Sequence, residues 1–596
     1  GGFTYDDAAR LAQLTQPRGT TRFTYSPQTG RLATATAPGG EKLEYAYDGA
    51  LPVSTTVSGS VAGSVAYTYD ANLRVATETV DGANGAAFEY DEDGLLTKAG
   101  AMTIARGAED GLIGALTIGG NTTTTTRSAF GEPESVVDKQ GSSTVYGETY
   151  TRDNTGRITG KTETRGGTTT TWVYGYDSAD RLATVTKNGS VVATYSYDGN
   201  GNRQVTRSGE LPQPVVYDDR DRIAGVGGFA YAYTAAGELL SKQDAAGTTT
   251  YDYDALGALT KVTLPDATLI EYAVDAAGRR VAVKRDGAMV RGFLYGRGLG
   301  PVAELGPDGT VRSRFVYATH SNVPDYMVRD GKTYRIVTDQ VGSPRAVVDT
   351  SNGAVAQAID YDEFGRVVSD SNPGFQPFGF GGGLYDQDTK LVRFGARDYD
   401  PETGRFTAPD PLRFGGGGTN LYGYALADPV NLGDPTGQFL DTLLDIGFIA
   451  YDLFDMGRSL LNGCGVSGWQ AAALGADVLG AVVPFATGGG AVVRAAAHER
   501  QITEGIYEVV TKEGLPYVGQ SGNIEQRLAQ HVRSGKITQE AADAAARTEV
   551  MGGKTAREIA EQRRINEVTN GVGASDPGIA NKVNPIGPKR QHLLGD

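Results

Sequence analysis

Along most of the chain the hydrophobic pattern has a period of two: aromatic, polar, aromatic, then aspartate, as in "YSYDGNGNR" and "YDYDALGAL". Residues two apart share one face of a strand. Tyr195 with Tyr197, and Tyr251 with Tyr253, are therefore expected to point one way and the residue between them the other. The aspartate that follows can hydrogen-bond its own turn, and a glycine two or three residues on accepts positive φ. Each phrase reads as strand, turn, strand. "FTYDDAARL", "YTYDANLRV", "FEYDEDGLL", "YGYDSADRL" and "IDYDEFGRV" belong to the same series, and most neighbours recur at intervals of about 20 residues. Self-similarity on that scale predicts stacked supersecondary units. The period alone admits a shell, a curling sheet, a propeller or a parallel solenoid.

The pattern changes from Tyr361 to Gln438, where aromatic residues, prolines and arginines become dense. Beyond it, "FLDTLLDIGFIAYDLFDMGRSLL" spaces apolar residues by three and four, which predicts an amphipathic helix. The apolar run that follows is interrupted by Asp477, Pro484 and three glycines. A membrane span needs about 20 apolar residues, but these interruptions suit a buried or flexible linker over 439–498 better, with a membrane-crossing role as the alternative. Cys464 and Trp469 are read as packing residues. From 499 to 596 the grammar is different again. "IYEVV" and "PYVGQ", separated by "TKEG", predict a hairpin. Asn523 would cap a helix over "IEQRLAQHVRSG" with Ile524, Leu528 and Val532 on one face and a stop at Gly535. Tyr507 and Tyr517 then lie on adjacent strands, and Arg527 and His531, four apart, on one helical side. The four parts are 1–360, 361–438, 439–498 and 499–596.

Composition sharpens this reading. The 596 residues include 84 Gly and 31 Tyr and only one Cys, which favours many short strands and tight turns and excludes an internal disulfide or a cysteine metal cluster. The formal charge is −16, yet from Gln501 onward twelve Lys and Arg balance twelve Asp and Glu. The acidic body is unsuited to coating nucleic acid, whereas the neutral tail permits local binding. The first residues show no signal peptide and begin in mid-repeat, as if downstream of something longer.

The repeated phrases resemble the YD-repeat, or Rhs, family over residues 3 to 410, which implies a mainly β fold in which the repeats wind into a large β shell. The stretch from Tyr361 to Gln438 resembles the Rhs-associated core segment, which closes that shell and in several relatives cleaves its own chain shortly after the second "DPxG". Asp410 of "APDPL" and Asp434 of "GDPTG" match the two aspartates used. Paired carboxylates can share a proton, one as base on water and one as acid toward the carbonyl. Cleavage is then expected after about Gln438. Two residues depart from the pattern: Arg413 stands where glycine is usual and Gln438 where leucine is. A cation at Arg413 would favour the ionised form of Asp410.

The tail resembles the GIY-YIG nuclease family from about 503 to 591: "GIY" at Gly505 to Tyr507, "YVG" at Tyr517 to Gly519, then Arg527 and His531. A later helix, "KTAREIAEQRRINEV", supplies Glu558 and Glu561, of which Glu561 is the better match, and "ANKVNPIGPKR" offers Asn581 or Asn584. The resemblance implies phosphodiester hydrolysis with one divalent metal, Mg²⁺ or another cation such as Mn²⁺, held by Glu561 through oxygen. It further implies Arg527 on the scissile phosphate, Tyr507 or Tyr517 orienting or deprotonating the attacking water, and His531 relaying the proton or touching phosphate. Arg533, Lys536, Arg563, Arg564, Lys589 and Arg590 would position the backbone without reading sequence. Together the resemblances imply a bacterial toxin delivered into a target-cell cytoplasm. A shell would enclose its own endonuclease cargo, with DNA as the expected substrate and a delivery apparatus and an immunity protein as partners. The alternative is a structural or adhesive surface protein with a non-cutting nucleic-acid-binding tail.

Overall fold

The computed structural model describes residues 2–438, apart from 17, 18, 109, 211, 212, 255, 256 and 417, and residues 505–581, apart from 522, 523, 544, 551, 552, 570, 571, 573, 575 and 578. The expected linker 439–498, with Cys464 and Trp469, and the residues Asn523, Asn584, Lys589 and Arg590 lie outside the described residues. The described residues fall in two compact units, one up to Gln438 and one from Gly505.

In the first unit many of the repeat phrases are hairpins locked to their successors. Asp177 shows how. Its Oδ1 accepts the backbone N–H groups of Ala179 and Arg181 at 2.9 and 3.0 Å, and its Oδ2 accepts Arg181 Nε at 2.8 Å. Arg181 in turn lies over the ring of Tyr197, 4.5 Å from its centroid, and Tyr197 donates its hydroxyl to the carbonyl of Leu182 at 2.8 Å. The same latch joins Asp70, Arg74 and Tyr90, then Asp153, Arg157 and Tyr176, then Asp275, Arg279 and Tyr295. Half-exposed ion pairs contribute about 0.2–1 kcal/mol each and cation–π contacts about 0.5–1 kcal/mol at such sites, so the latches fix register more than they supply stability.

The hairpins build two antiparallel meanders, 20 strands from Gly2 to Arg207 and 16 from Val215 to Asp370. Every strand pairs antiparallel to its sequence neighbour, which rules out a parallel solenoid. The sheets meet through apolar clusters: Leu43, Val57 and Val65 with Val281, Phe293 and Phe315, then Met102 and Ile104 with Val316 and Tyr326, and Tyr146 with Val337 and Val348. Polar ties such as Arg345 to Glu163 at 2.9 Å cross the same seam. This is the mainly β shell that the repeats imply.

The core segment adds a four-stranded sheet from Leu384 to Phe406. Its centre is aromatic: Phe380, Phe394, Tyr399, Phe406 and Tyr424 are all buried. It is riveted to the shell by Arg280 on Asp398 at 2.8 Å and by Arg203 Nη2 on the carbonyl of Thr403 at 2.7 Å.

The second unit is a small α/β layer. Gly505–Val510 is the middle strand of three, between Pro516–Ser521 and Ala546–Glu549. Helix Ile524–Arg533 buries Ile524 and Leu528 with Tyr507 and Val509, and helix Gly553–Val568 brings Ile565 onto Val518. Gly535 ends the first helix region with φ of 77°. Among the described residues no helix is long and apolar enough to cross a membrane.

Candidate functional sites

Two constellations carry chemistry. At the joint, strand Arg397–Asp400 buries Arg397 between the two expected aspartates: its Nη2 lies 2.9 Å from Asp410 Oδ2 and 3.1 Å from Asp434 Oδ2. Each aspartate divides its oxygens. Asp410 Oδ1 accepts Leu412 N at 2.8 Å, and Asp434 Oδ1 accepts Gln438 N at 3.0 Å and the Thr436 hydroxyl at 3.1 Å. Capping a turn and facing the arginine are thus compatible in one side chain. Arg397 also donates Nε to the carbonyl of Gly437 and Nη1 to that of Leu421, the latter at 3.1 Å. The chain just before the expected scission is thereby fixed, with Gln438 fully buried.

Burial pushes the Asp434 carboxyl up to about 6 and raises Asp410 too, while Arg397 opposes both shifts. A cleft of about 570 Å³, lined among others by Asp410, Arg397, Pro409, Phe414 and Tyr422, gives Asp410 access to water, and a second of about 300 Å³ is lined by Asp410, Asp434 and Arg397 together. The expectation for Arg413 is corrected. Its backbone N–H closes the Asp410 turn at 2.9 Å, its side chain is exposed and makes no ion pair with Asp410, and the cation on the pair is Arg397. Sequence reading missed Arg397: "VRFGARDYD" carries two arginines, Arg393 and Arg397, on strands buried at every position, and no period singles out the one that meets the aspartates.

In the tail the register sets Tyr507 opposite Gly519 and Val509 opposite Tyr517, so both tyrosines share a face. Their rings lie 6.2 Å apart. The glycine of "YVG" has a steric reason: a Cβ on Gly519 would collide with the Tyr507 ring. Helix Ile524–Arg533 brings His531 within 2.8 Å of the Tyr507 hydroxyl, Nε2 sharing the hydrogen bond, and sets His531 edge-on to Tyr517 at 5.5 Å.

Glu561 comes from the later helix. Burial, and then the charge of Glu558 one turn back, push its carboxyl up to about 7, and Arg527 opposes the rise. The carboxyl also raises both tyrosine hydroxyls, and Arg527 lowers both. The five groups therefore share one electrostatic neighbourhood. Burial is the largest cause for Tyr507, which is held well above the ordinary phenol range, so a lowered tyrosine is not the resting state. His531 is pushed down to about 4 by burial and by Lys536 and Arg527, leaving the imidazole neutral at pH 7.

Two arginines of the Glu561 helix make contacts with other groups. Arg564 pairs with Glu508 and with Glu567, each at 2.7 Å, and Arg557 Nε reaches Gln520 Oε1 at 3.4 Å. Glu561 is 9% exposed and makes no ion pair with a described residue. Among the described residues no three His, Cys, Asp or Glu side chains cluster as a metal cage. One carboxylate still fits Mg²⁺, which keeps several waters and takes further oxygens from substrate phosphate. Asn581 uses its whole amide on the hairpin, Oδ1 accepting Val518 N at 2.9 Å and Nδ2 donating to Val518 O at 2.6 Å.

Comparison with known proteins bears mainly on the first unit. Residues 2–429 match the family profile described as the teneurin YD-shell. Teneurin-3 of Danio rerio is 33% identical over 278 residues, covering 45% of this chain and 10% of the relative. The tRNA3(Ser)-specific nuclease WapA of Bacillus spizizenii is 27% identical over 289 residues, covering 46% of this chain and 12% of the relative. The chain thus spans about a tenth of the length of these curated relatives. Among solved structures, the Tc holotoxin pore of Photorhabdus luminescens is similar at 14% identity and a TM-score of 0.48, over 74% of this chain and 28% of that one.

Proposed function

The chain belongs to the teneurin YD-shell family through residues 2–429, and on that premise we propose that it is a toxin of the Rhs kind, in which the shell cases a GIY-YIG endonuclease formed by the tail. The observation that carries this reading is the convergence of Tyr507, Tyr517, Arg527, His531 and Glu561, drawn from two strands and two helices, on one neighbourhood. A relative named as a nuclease supports it from outside the tail. That name also makes RNA an alternative to the DNA expected from the tail.

Glu561, buried and making no ion pair among the described residues, is the residue that would hold Mg²⁺ or Mn²⁺; when bound, the ion supplies charge neutralisation at the phosphate and the leaving oxygen. Arg527 engages the scissile phosphate through its planar guanidinium. Tyr507 holds the attacking water, takes its proton and passes its own phenolic proton to the neutral His531 through their shared hydrogen bond. Because burial disfavours a free phenolate, this transfer lets the hydroxyl act without resting ionised. Tyr517 walls the site and orients the same water.

The joint is the second part of the proposal: Asp434, kept protonated toward neutral pH, acts as acid and Asp410 as base on water entering the cleft, cutting after about Gln438. Arg397 positions both carboxylates and the preceding carbonyl. The deciding experiment incubates the full chain with supercoiled plasmid, and separately with tRNA, in Mg²⁺ and in chelator. Cutting that needs the metal and is lost in Glu561→Gln is expected. Retardation without cutting, or an equally active Glu561→Gln, would leave only a nucleic-acid-binding tail.

A further inference from the structure

One turn of the repeat departs from the rule its neighbours follow. Asp153 and Asp177 are each followed at the fourth residue by the latch arginine and at the fifth by a buried apolar residue, Ile158 and Leu182. In "YDGNGNR" Asn202 takes the arginine's place and Arg203 the core position, where it is 6% exposed. The phrase "DAAGRR" likewise puts Arg280 in the core position, but that guanidinium meets Asp398 at 2.8 Å. Arg203 makes no ion pair with a described residue. It lies over the Phe364 ring, 3.6 Å from the centroid, and donates Nη2 to the Thr403 carbonyl at 2.7 Å; its buried Nη1 has no partner among the described residues.

Arg405 shares this condition. Also 6% exposed, it donates Nη1 to Asn202 Oδ1 at 3.0 Å and Nη2 to Asn420 Oδ1 at 2.9 Å and to the Asp221 backbone carbonyl, all neutral acceptors. The two arginines clasp each other's strands, since Asn202 adjoins Arg203 and Thr403 lies two residues before Arg405. Gly404, between Thr403 and Arg405, has φ of 66°, and a Cβ there would fall 2.2 Å from Arg203 Nη2, so backbone packs directly on the guanidinium. Every other buried arginine among the described residues has a carboxylate within 3.9 Å. Arg203 and Arg405 both line the cavity of about 300 Å³ at the joint. Its other charged residues are Arg397 with Asp410 and Asp434, Arg181 held by Asp177, and the exposed Arg413.

A buried charge without a counter-charge is costly. Two of them on one cavity, in a chain whose formal charge is −16, make a local excess of cations that an anion would relieve. Guanidinium groups match phosphate oxygens in shape and charge, and two positive charges suit a doubly charged oxyanion. We propose that Arg203 and Arg405 form a binding site for a phosphate dianion, free or as the end of a phosphate ester, and that the bound anion staples the last strand of the first meander, Arg203–Arg207, to the core segment at Arg405–Phe406. The proposal goes beyond the nuclease and self-cleavage readings and rests on neither.

The test is calorimetric titration of the full chain at pH 8 and low salt without divalent metal, with inorganic phosphate in one series and adenosine monophosphate in another. The chain carries Arg527→Ala, which silences the phosphate residue proposed in the tail. One anion per chain is expected, with affinity falling about 10–100-fold in Arg203→Gln and in Arg405→Gln and unchanged in Arg74→Gln, whose arginine has its own aspartate. Phosphate should also raise the thermal midpoint of the parent but not that of Arg203→Gln. Binding of phosphate assigns the site to the free ion, and binding of the nucleotide alone assigns it to an ester; both support the proposal. No binding of either anion, or equal affinity in parent, Arg203→Gln and Arg405→Gln, overturns it. Should Arg203→Gln fail to fold, Arg203→Lys keeps the charge but cannot hold the Thr403 carbonyl and an anion at once, and should lose about tenfold in affinity. Failure of the nuclease reading is seen separately, as plasmid and tRNA left intact by the parent chain in Mg²⁺.

Discussion

On the proposed function, Glu561 sets activity and stability in opposition at a single carboxyl. Its folded value of about 7 lies above the 4.5 of an unperturbed glutamate, so burial is tolerated while the group is protonated and becomes costly as pH rises from about 4.5 to 7. Glu561→Gln should therefore stabilise the tail at pH 8 by about 1–3 kcal/mol, measured by denaturant unfolding without metal, while abolishing cutting. The same titration competes with the ion. Affinity for Mg²⁺ is expected to fall about tenfold per pH unit below 7 and to level off above it, which calorimetry would show. Arg527→Lys keeps the charge but loses the planar fork and should cost about 10²–10³-fold in kcat; a loss under tenfold would remove the arginine from the phosphate.

At the scale of elements, the hairpin Gly505–Ser521 is held by two features that only coordinates explain. Gly519→Ala drives a methyl into the Tyr507 ring and should destabilise the tail by about 1–3 kcal/mol. Asn581→Ala leaves the Val518 backbone without its two partners, at a cost of about 1–3 kcal/mol; thermal unfolding reads both. In the repeats, Tyr197→Phe removes one hydrogen bond to Leu182 and should cost about 0.5–1.5 kcal/mol, a small effect because neighbouring latches remain.

How much of this was legible follows from the range of the interactions. The Asp–Arg–Tyr latch is local, and the phrase "YGYDSADRL" already shows the aspartate and arginine four apart; the tyrosine pair was equally visible from a two-residue period. What escaped is long-range. Arg397 meets Asp410 and Asp434 only because the core segment folds back on itself, and no periodicity marks it. Arg413 was misjudged because proximity in sequence was taken for proximity of charge.

For the whole molecule, the joint and the shell are one device. Asp434 is held near 6, so one member of the pair keeps its proton more readily as pH falls toward 6. Self-cleavage should therefore speed up between pH 8 and 6, followed as the loss of the full-length band on a denaturing gel. Asp434→Asn and Arg397→Ala should each leave a single band of 596 residues. Cleavage undiminished in both variants would reduce the joint to a packing feature.

Nearest-neighbour pairing of every strand from Gly2 to Asp370 also bears on how the molecule is made. A meander of this kind asks for no distant partner: each hairpin can dock on its predecessor as soon as it leaves the ribosome, and low contact order makes that docking quick. The tail is translated after the repeats. By the time Glu561 has emerged to complete the proposed cutting centre, several hundred residues of shell have already had the opportunity to assemble.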